Sequence, residues 1–234
     1  MSDQLRGVAL RLHGPLQSWG GSAIGDDRPT FPFPTRSGVL GLVAACLGIT
    51  RGDQRRLFAL AEGARVHVRV DTPGRPLVDD HTIQGKSGAS DARKTIQSKR
   101  TYLCDASFVA VVLPGPAYST PTIAEAVAQP VFAPFLGRRS CSMSTRLMLR
   151  EEVTGETPLA LFDGIPRGPD ELLEALRARR VLGIFDNFDY YLDVDNYPGA
   201  LRRVAIRDHF AGPLLRQYRE RFACHVQVRD ARVS

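Results

Sequence analysis

Lysine is scarce in this chain: only 3 of its 31 basic residues are lysines, Lys86, Lys94 and Lys99, and the rest are arginines. Long apolar runs are missing too. No stretch approaches the roughly 18 residues that a membrane-crossing helix requires, and the longest apolar run, 38–49, suits a buried helix instead. The N-terminus mixes charged and apolar residues without the apolar centre of a secretory leader. No membrane partner and a cytoplasmic location are therefore expected. The four cysteines, Cys46, Cys104, Cys141 and Cys224, are too scattered to form a zinc-ligand pair and read as reduced, partly buried thiols. The five histidines, His13, His67, His81, His209 and His225, show no metal-pair spacing. Phosphate-loop, nucleophile-elbow and dinucleotide fingerprints are all absent. No metal and no cofactor are expected.

What is present is an uneven charge. Residues 1–144 hold 17 basic and 11 acidic side chains, which accounts for the whole net charge of +6, whereas residues 145–234 hold 14 of each. A basic N-terminal portion fits a polyanionic partner, though solubility alone can explain so small an excess.

Hydrophobic periodicity places strands at 7–12, 64–70 and 108–113 and helices at 37–47 and 122–129, with Gly48 as a C-terminal cap. Between the second and third strands lies a long polar insert, 76–102, of the kind that is functional or unstructured. This order of elements predicts an α+β fold with a ferredoxin-like, RNA-recognition-motif-like domain over 1–144. A smaller β-rich region is expected over 145–234, with a helix at 169–180 and short strands near 190–194 and 225–228.

Four groups of residues suit phosphate or base contacts. Thr35, Arg36 and Ser37 open the first helix, where free amides and the helix dipole attract anions; an ordinary cap with a solvated arginine fits the same residues. Lys94, Lys99 and Arg100 belong to the insert, which can track a nucleic-acid backbone or simply be solvated. Gly137, Arg138, Arg139 and Ser140 form a glycine loop with paired arginines, equally compatible with a surface turn. Trp19, the only tryptophan, can stack on a base but suits a core position as well. The acidic cluster of Asp186, Asp189, Asp193 and Asp195 has Pro198 where a calcium loop needs glycine, and reads as a solvated turn. His81 can act as a general base or as a binding residue.

Four blocks then carry a family likeness: 10–12 with 14–20 (LRL, GPLQSWG), 28–30 with 33–42 (RPT, FPTRSGVLGL), 95–97 with 102–108 (TIQ, YLCDASF), and 135–141 (FLGRRSC). In this order they resemble the CasD family of type I-E CRISPR Cascade subunits. The resemblance implies an RNA-binding domain whose 76–102 insert is a β-hairpin thumb, and a smaller C-terminal β region. It implies a non-catalytic subunit that caps the 5′ handle of CRISPR RNA. Its neighbours would be a CasC-like backbone subunit and a CasA-like large subunit, and target DNA would be met only through the complex. Within the blocks, Gln17, Trp19, Arg28, Thr35, Arg36, Ser37, Lys99, Arg100, Tyr102, Gly137, Arg138, Arg139 and Ser140, with Lys94 beside them, are the expected RNA contacts. A related branch cuts precursor RNA without metal, for which His81, Tyr102 and Lys94 would supply the groups. The divergent 145–197 stretch, with 6 basic and 11 acidic residues, is expected to face protein.

Overall fold

The computed structural model describes residues 4–21, 25–86, 93–168, 187–210 and 218–229. In chain order its elements begin with β1 (Leu5–His13), β2 (Leu16–Gln17), α1 (Arg36–Cys46), α2 (Gln54–Ala61) and β3 (Arg65–Thr72). They continue with β4 (Arg75–Lys86), β5 (Arg93–Cys104), β6 (Ser107–Leu113), α3 (Thr120–Ala128), β7 (Met148–Gly155), β8 (Asn187–Leu192), β9 (Arg202–Phe210) and β10 (Tyr218–Arg229). The expected helix at 169–180 lies outside the described residues.

Seven strands form one sheet in the order β7-β1-β6-β3-β8-β10-β9, and every registered pair is antiparallel. At its centre, β6 is buried along its whole length, from Ser107 through Leu113. A strand covered on both faces loses the apolar–polar alternation, which is why its sequence reads as a continuous apolar run. One face packs Val8, Leu10, Phe108, Ala110, Val66 and Val68 against Val39 and Val43 of α1 and Ile123 of α3. The other face places Ala9, Val109 and Val111 under Leu161, Phe162 and Ile165. Leu161 and Phe162 enter through a 3-10 turn at Ala160–Phe162, and Ile165 follows it. Each of the valines, leucines, isoleucines and phenylalanines among them contributes about 1.5–3 kcal/mol when fully buried.

The helices stop for local reasons. Thr35 caps α1, its hydroxyl accepting from the Gly38 amide. Gly48 ends it in the left-handed region, at φ 68°. Ser119 caps α3, with a proline in its first turn.

The polar insert is not an irregular loop. β4 and β5 pair over 12 residues each, from Arg75 opposite Cys104 to Lys86 opposite Arg93, a ribbon roughly 40 Å long. Its base is fixed to the body where β2 pairs with β5, Leu16 opposite Cys104 and Gln17 opposite Leu103. Residues beyond 144 supply β7 at one end of the large sheet and β8, β9 and β10 at the other. The expected boundary at 144/145 therefore does not coincide with a break in the sheet. All four cysteines are unpaired, and burial pushes the Cys46 thiol up to about 11.

Candidate nucleic-acid interface

At the base of the hairpin three separate segments meet. Arg28 forms a parallel bridge with Arg100: its amide donates to the Lys99 carbonyl at 2.8 Å, and its carbonyl accepts from the Thr101 amide at 3.0 Å. That carbonyl also accepts from Arg138 Nη2 at 2.9 Å. The Arg138 guanidinium lies 4.5 Å over the ring of Tyr102, and its Nη1, shielded from solvent, has no hydrogen-bond partner in the protein. Arg28, Lys99 and Arg139 are exposed and Arg100 is half-buried, so with Arg138 the three segments carry five cations, Lys99 and Arg100 on opposite faces of β5. Asp79 and Asp80 sit opposite Arg100 and Lys99 on β4, but Asp79 is bonded to His81 Nε2 at 2.7 Å.

The glycine loop reaches this place because of Gly137. Its φ is +87°, and a Cβ there would lie 1.6 Å from the Ser18 carbonyl oxygen. The Ser18 amide donates to the Leu136 carbonyl at 3.0 Å. Leu136 and Cys141 are wholly buried, while Arg139 and Ser140 are exposed between them.

Several expected contacts are corrected by burial. Gln17 is fully buried; its amide donates to the carbonyls of Leu12 and Ala106, and its oxygen accepts from Trp19 Nε1 at 3.0 Å. Trp19 is 1% exposed and packs against Gly38 of α1. The Thr35 hydroxyl donates to the Trp19 carbonyl at 3.0 Å. Arg36, 3% exposed, donates to the carbonyls of Ala61 and Ala64 and pairs with Asp193 at 3.3 Å. Burial lowers its pKa, with Asp193 opposing. These four side chains are buried and bonded within the protein.

The α1 N-terminus is likewise taken. The Ser37 amide donates to Asp208 Oδ2 at 3.2 Å. Arg221 holds that carboxylate with two bonds, at 2.5 and 3.0 Å, and Asp193 with a third at 3.0 Å. An internal carboxylate stands where a phosphate was expected. Asp193 is thus part of an ion network and not of a solvated turn. No local motif announces this network, since its members lie on α1, β9, β10 and the residue after β8.

Lys94 pairs with Gly85 toward the far end of the hairpin. Sequence reasoning also missed a row of stacked rings, Phe33 on Tyr191 and Tyr191 on His225. His67 is buried with its Nδ1 accepting from the Asp193 amide at 3.1 Å. Desolvation, then the charges of Arg65 and Arg221, push its pKa down to about 3, so it is neutral. Among the described residues no group of three His, Cys, Asp or Glu side chains could hold a metal, and no helix is long and apolar enough to cross a membrane.

The sheet face opposite the helices, where an RNA-recognition motif stacks its bases, is covered here. Arg69 ties the covering segment down, donating to the carbonyls of Ile165 and Pro166, while Asp71 accepts from Arg69 Nε and the Gly168 amide. The hairpin base, by contrast, carries exposed cations.

The family model described as CRISPR-associated protein (Cas_Cas5) matches residues 7–223. The chain belongs to the Cas5 family. The Cas5 likeness extends to the CRISPR system Cascade subunit CasD of Escherichia coli K12, 41% identical over a 177-residue alignment, with 70% of this chain and 79% of that protein covered. A solved chain described as belonging to a CRISPR RNA-guided surveillance complex superposes with a TM-score of 0.66 at 32% identity, covering 95% of this chain and 90% of its own. A second, titled "Crystal structure of Cas protein", gives 0.60 at 28% identity over 95% of both chains. The large antiparallel sheet with few helices is the architecture that this Cas5 chain shares with them.

Proposed function

We propose that this chain is the CasD-type subunit of a type I-E Cascade complex, that it binds and caps the 5′ handle of CRISPR RNA, and that it does not cut RNA. The order β7-β1-β6-β3, with helices between β1 and β3 and between β6 and β7, supports a ferredoxin-like core with the β4–β5 hairpin as its inserted thumb. Residues 1–144 are then the main RNA-binding unit, and the residues beyond them buttress it and face protein neighbours, a CasC-like backbone subunit and a CasA-like large subunit.

The observation that carries the reading is Arg138. Its guanidinium is stacked on Tyr102 and fixed by the Arg28 carbonyl, yet one shielded nitrogen has no partner. A buried unmatched donor costs about 1–3 kcal/mol, and a small turn of the guanidinium that brings Nη1 out to an RNA phosphate or base edge would remove that cost. Arg28, Lys99, Arg100, Arg139 and Ser140 would supply further backbone contacts around it.

Convergence is what the nuclease alternative lacks. His81 sits opposite Ser98. Lys94 and Tyr102 are each four residues from Ser98 along β5, about 13 Å to either side. Tyr102 is 5% exposed beneath Arg138. Three groups spread along a strand do not surround one ribose hydroxyl.

The test is binding of repeat-derived RNA to the full chain across a salt series. Arg138→Ala with Arg139→Ala should weaken binding about 10- to 100-fold and reduce the salt slope by about 1–2. An unchanged affinity in the double variant would remove this site from the proposal. Incubation with chelator should leave the RNA intact; specific cleavage that His81→Ala abolishes would favour the nuclease.

A further inference from the structure

Four aromatic rings stand in a row that starts beside the cationic cluster. Phe31 follows Arg28 by three residues, so at most about 11 Å of chain separates them. Its amide donates to the Gly20 carbonyl at 2.8 Å, and its ring is half-buried. The Phe31 ring lies 5.7 Å from Phe33, tilted by 52°. Phe33, 2% exposed, stacks on Tyr191 at 3.6 Å and 14°. Tyr191 stacks in turn on His225 at 4.9 Å and 11°. The row is braced at its far end, where His225 Nε2 meets Asp189 Oδ1 at 2.8 Å.

The inner rings use their faces on one another, so none of them can accept a further ring. Of the two end members, Phe31 and His225, both part-buried, Phe31 is the one joined to Arg28 by a three-residue step. A stacking platform works when its ring is fixed beforehand, because little rotamer freedom is then lost on binding. The rigid row behind Phe31 provides that.

We infer that Phe31 is a base-stacking subsite, on which an unpaired RNA base next to the phosphates held by Arg28 and Arg138 lies against the aromatic ring, with Phe33, Tyr191 and His225 as its positioning support. This inference rests on the hairpin base being the RNA site. Stacking reads a π-face and not a charge, so it adds affinity without changing the number of counterions released.

The experiment uses the full chain and repeat-derived single-stranded RNA carrying one 2-aminopurine, moved one position at a time. The wild-type protein should quench fluorescence strongly at one or two adjacent positions. Phe31→Ala and Phe31→Leu should both lose that local quenching and weaken binding about tenfold with the salt slope unchanged, while Phe31→Tyr retains both. Leucine keeps the apolar bulk, so the fold is preserved in that comparison. Wild-type quenching and affinity in Phe31→Leu would overturn the inference and leave Phe31 a packing residue. Arg138→Ala in the same assay separates the two proposals. A weakened salt slope there alongside an inert Phe31→Leu sinks only the stacking. An unchanged salt slope alongside a quenching loss in Phe31→Leu sinks only the arginine site.

Discussion

Gly137 decides whether the glycine loop can meet the hairpin base at all. The left-handed φ of 87° and a hypothetical Cβ at 1.6 Å from the Ser18 oxygen are two separate obstacles to any side chain there. Gly137→Ala must push the loop away from residue 18, lengthening the bond from the Ser18 amide to Leu136 and moving Arg138 off Tyr102. A loss of about 2–4 kcal/mol in urea unfolding is expected, together with RNA binding no better than that of the Arg138 variant. Native stability and native binding in Gly137→Ala would mean that the loop position is unimportant. Arg138 and Arg36 make the complementary point. Both are arginines inside motif-like runs, yet one is only half-buried and leaves a shielded nitrogen unmatched while the other is enclosed among carbonyls and Asp193. Residue type is visible in a sequence; which side of the backbone faces the core here is not.

Among the elements, those with strong apolar periodicity were legible. The helix expected at 37–47 is α1 at Arg36–Cys46, and the strand expected at 108–113 is β6 at Ser107–Leu113. The missed elements include α2, β2, β7 and β9. β7 is mostly exposed, with Arg150, Glu151 and Glu152 in its middle, and α2 is buried only at Leu60 and Ala61. Elements held mainly by their neighbours leave a faint pattern of their own. The start of α1 was misread for a related reason, since the anion that satisfies it comes from Asp208, 171 residues away. That junction can be tested as a unit. Arg221→Met leaves Asp208 uncompensated and should cost about 3–5 kcal/mol in urea unfolding. Adding Asp208→Leu removes the stranded charge while Arg36 keeps Asp193. The double variant should therefore be more stable than the sum of the single changes by about 1 kcal/mol or more. Strict additivity would show that the two side chains do not act together.

For the whole molecule the decisive feature is that one sheet runs through both halves of the chain, which join at two places, β1 against β7 and β3 against β8. β3 pairs with β6 on one side and β8 on the other. His67 lies in this strand, fully buried, and accepts the Asp193 amide just beyond β8. Its folded pKa of about 3 lies below the usual 6.5 of an unfolded histidine. The unfolded chain therefore binds the extra proton, so stability is complete above about pH 6.5 and falls as the pH drops toward 3. Between pH 7 and pH 5 this one group should remove about 2 kcal/mol. Because protonation would charge this second seam between the halves, the loss should appear in a single cooperative transition and not as separate melting of the C-terminal strands. His67→Asn keeps an acceptor near the position of Nδ1 and has no proton to gain. Its urea midpoint should vary less with pH than the wild-type midpoint over this range, even if it starts lower. Parallel pH profiles for the two proteins would exclude His67 as the source of the acid sensitivity.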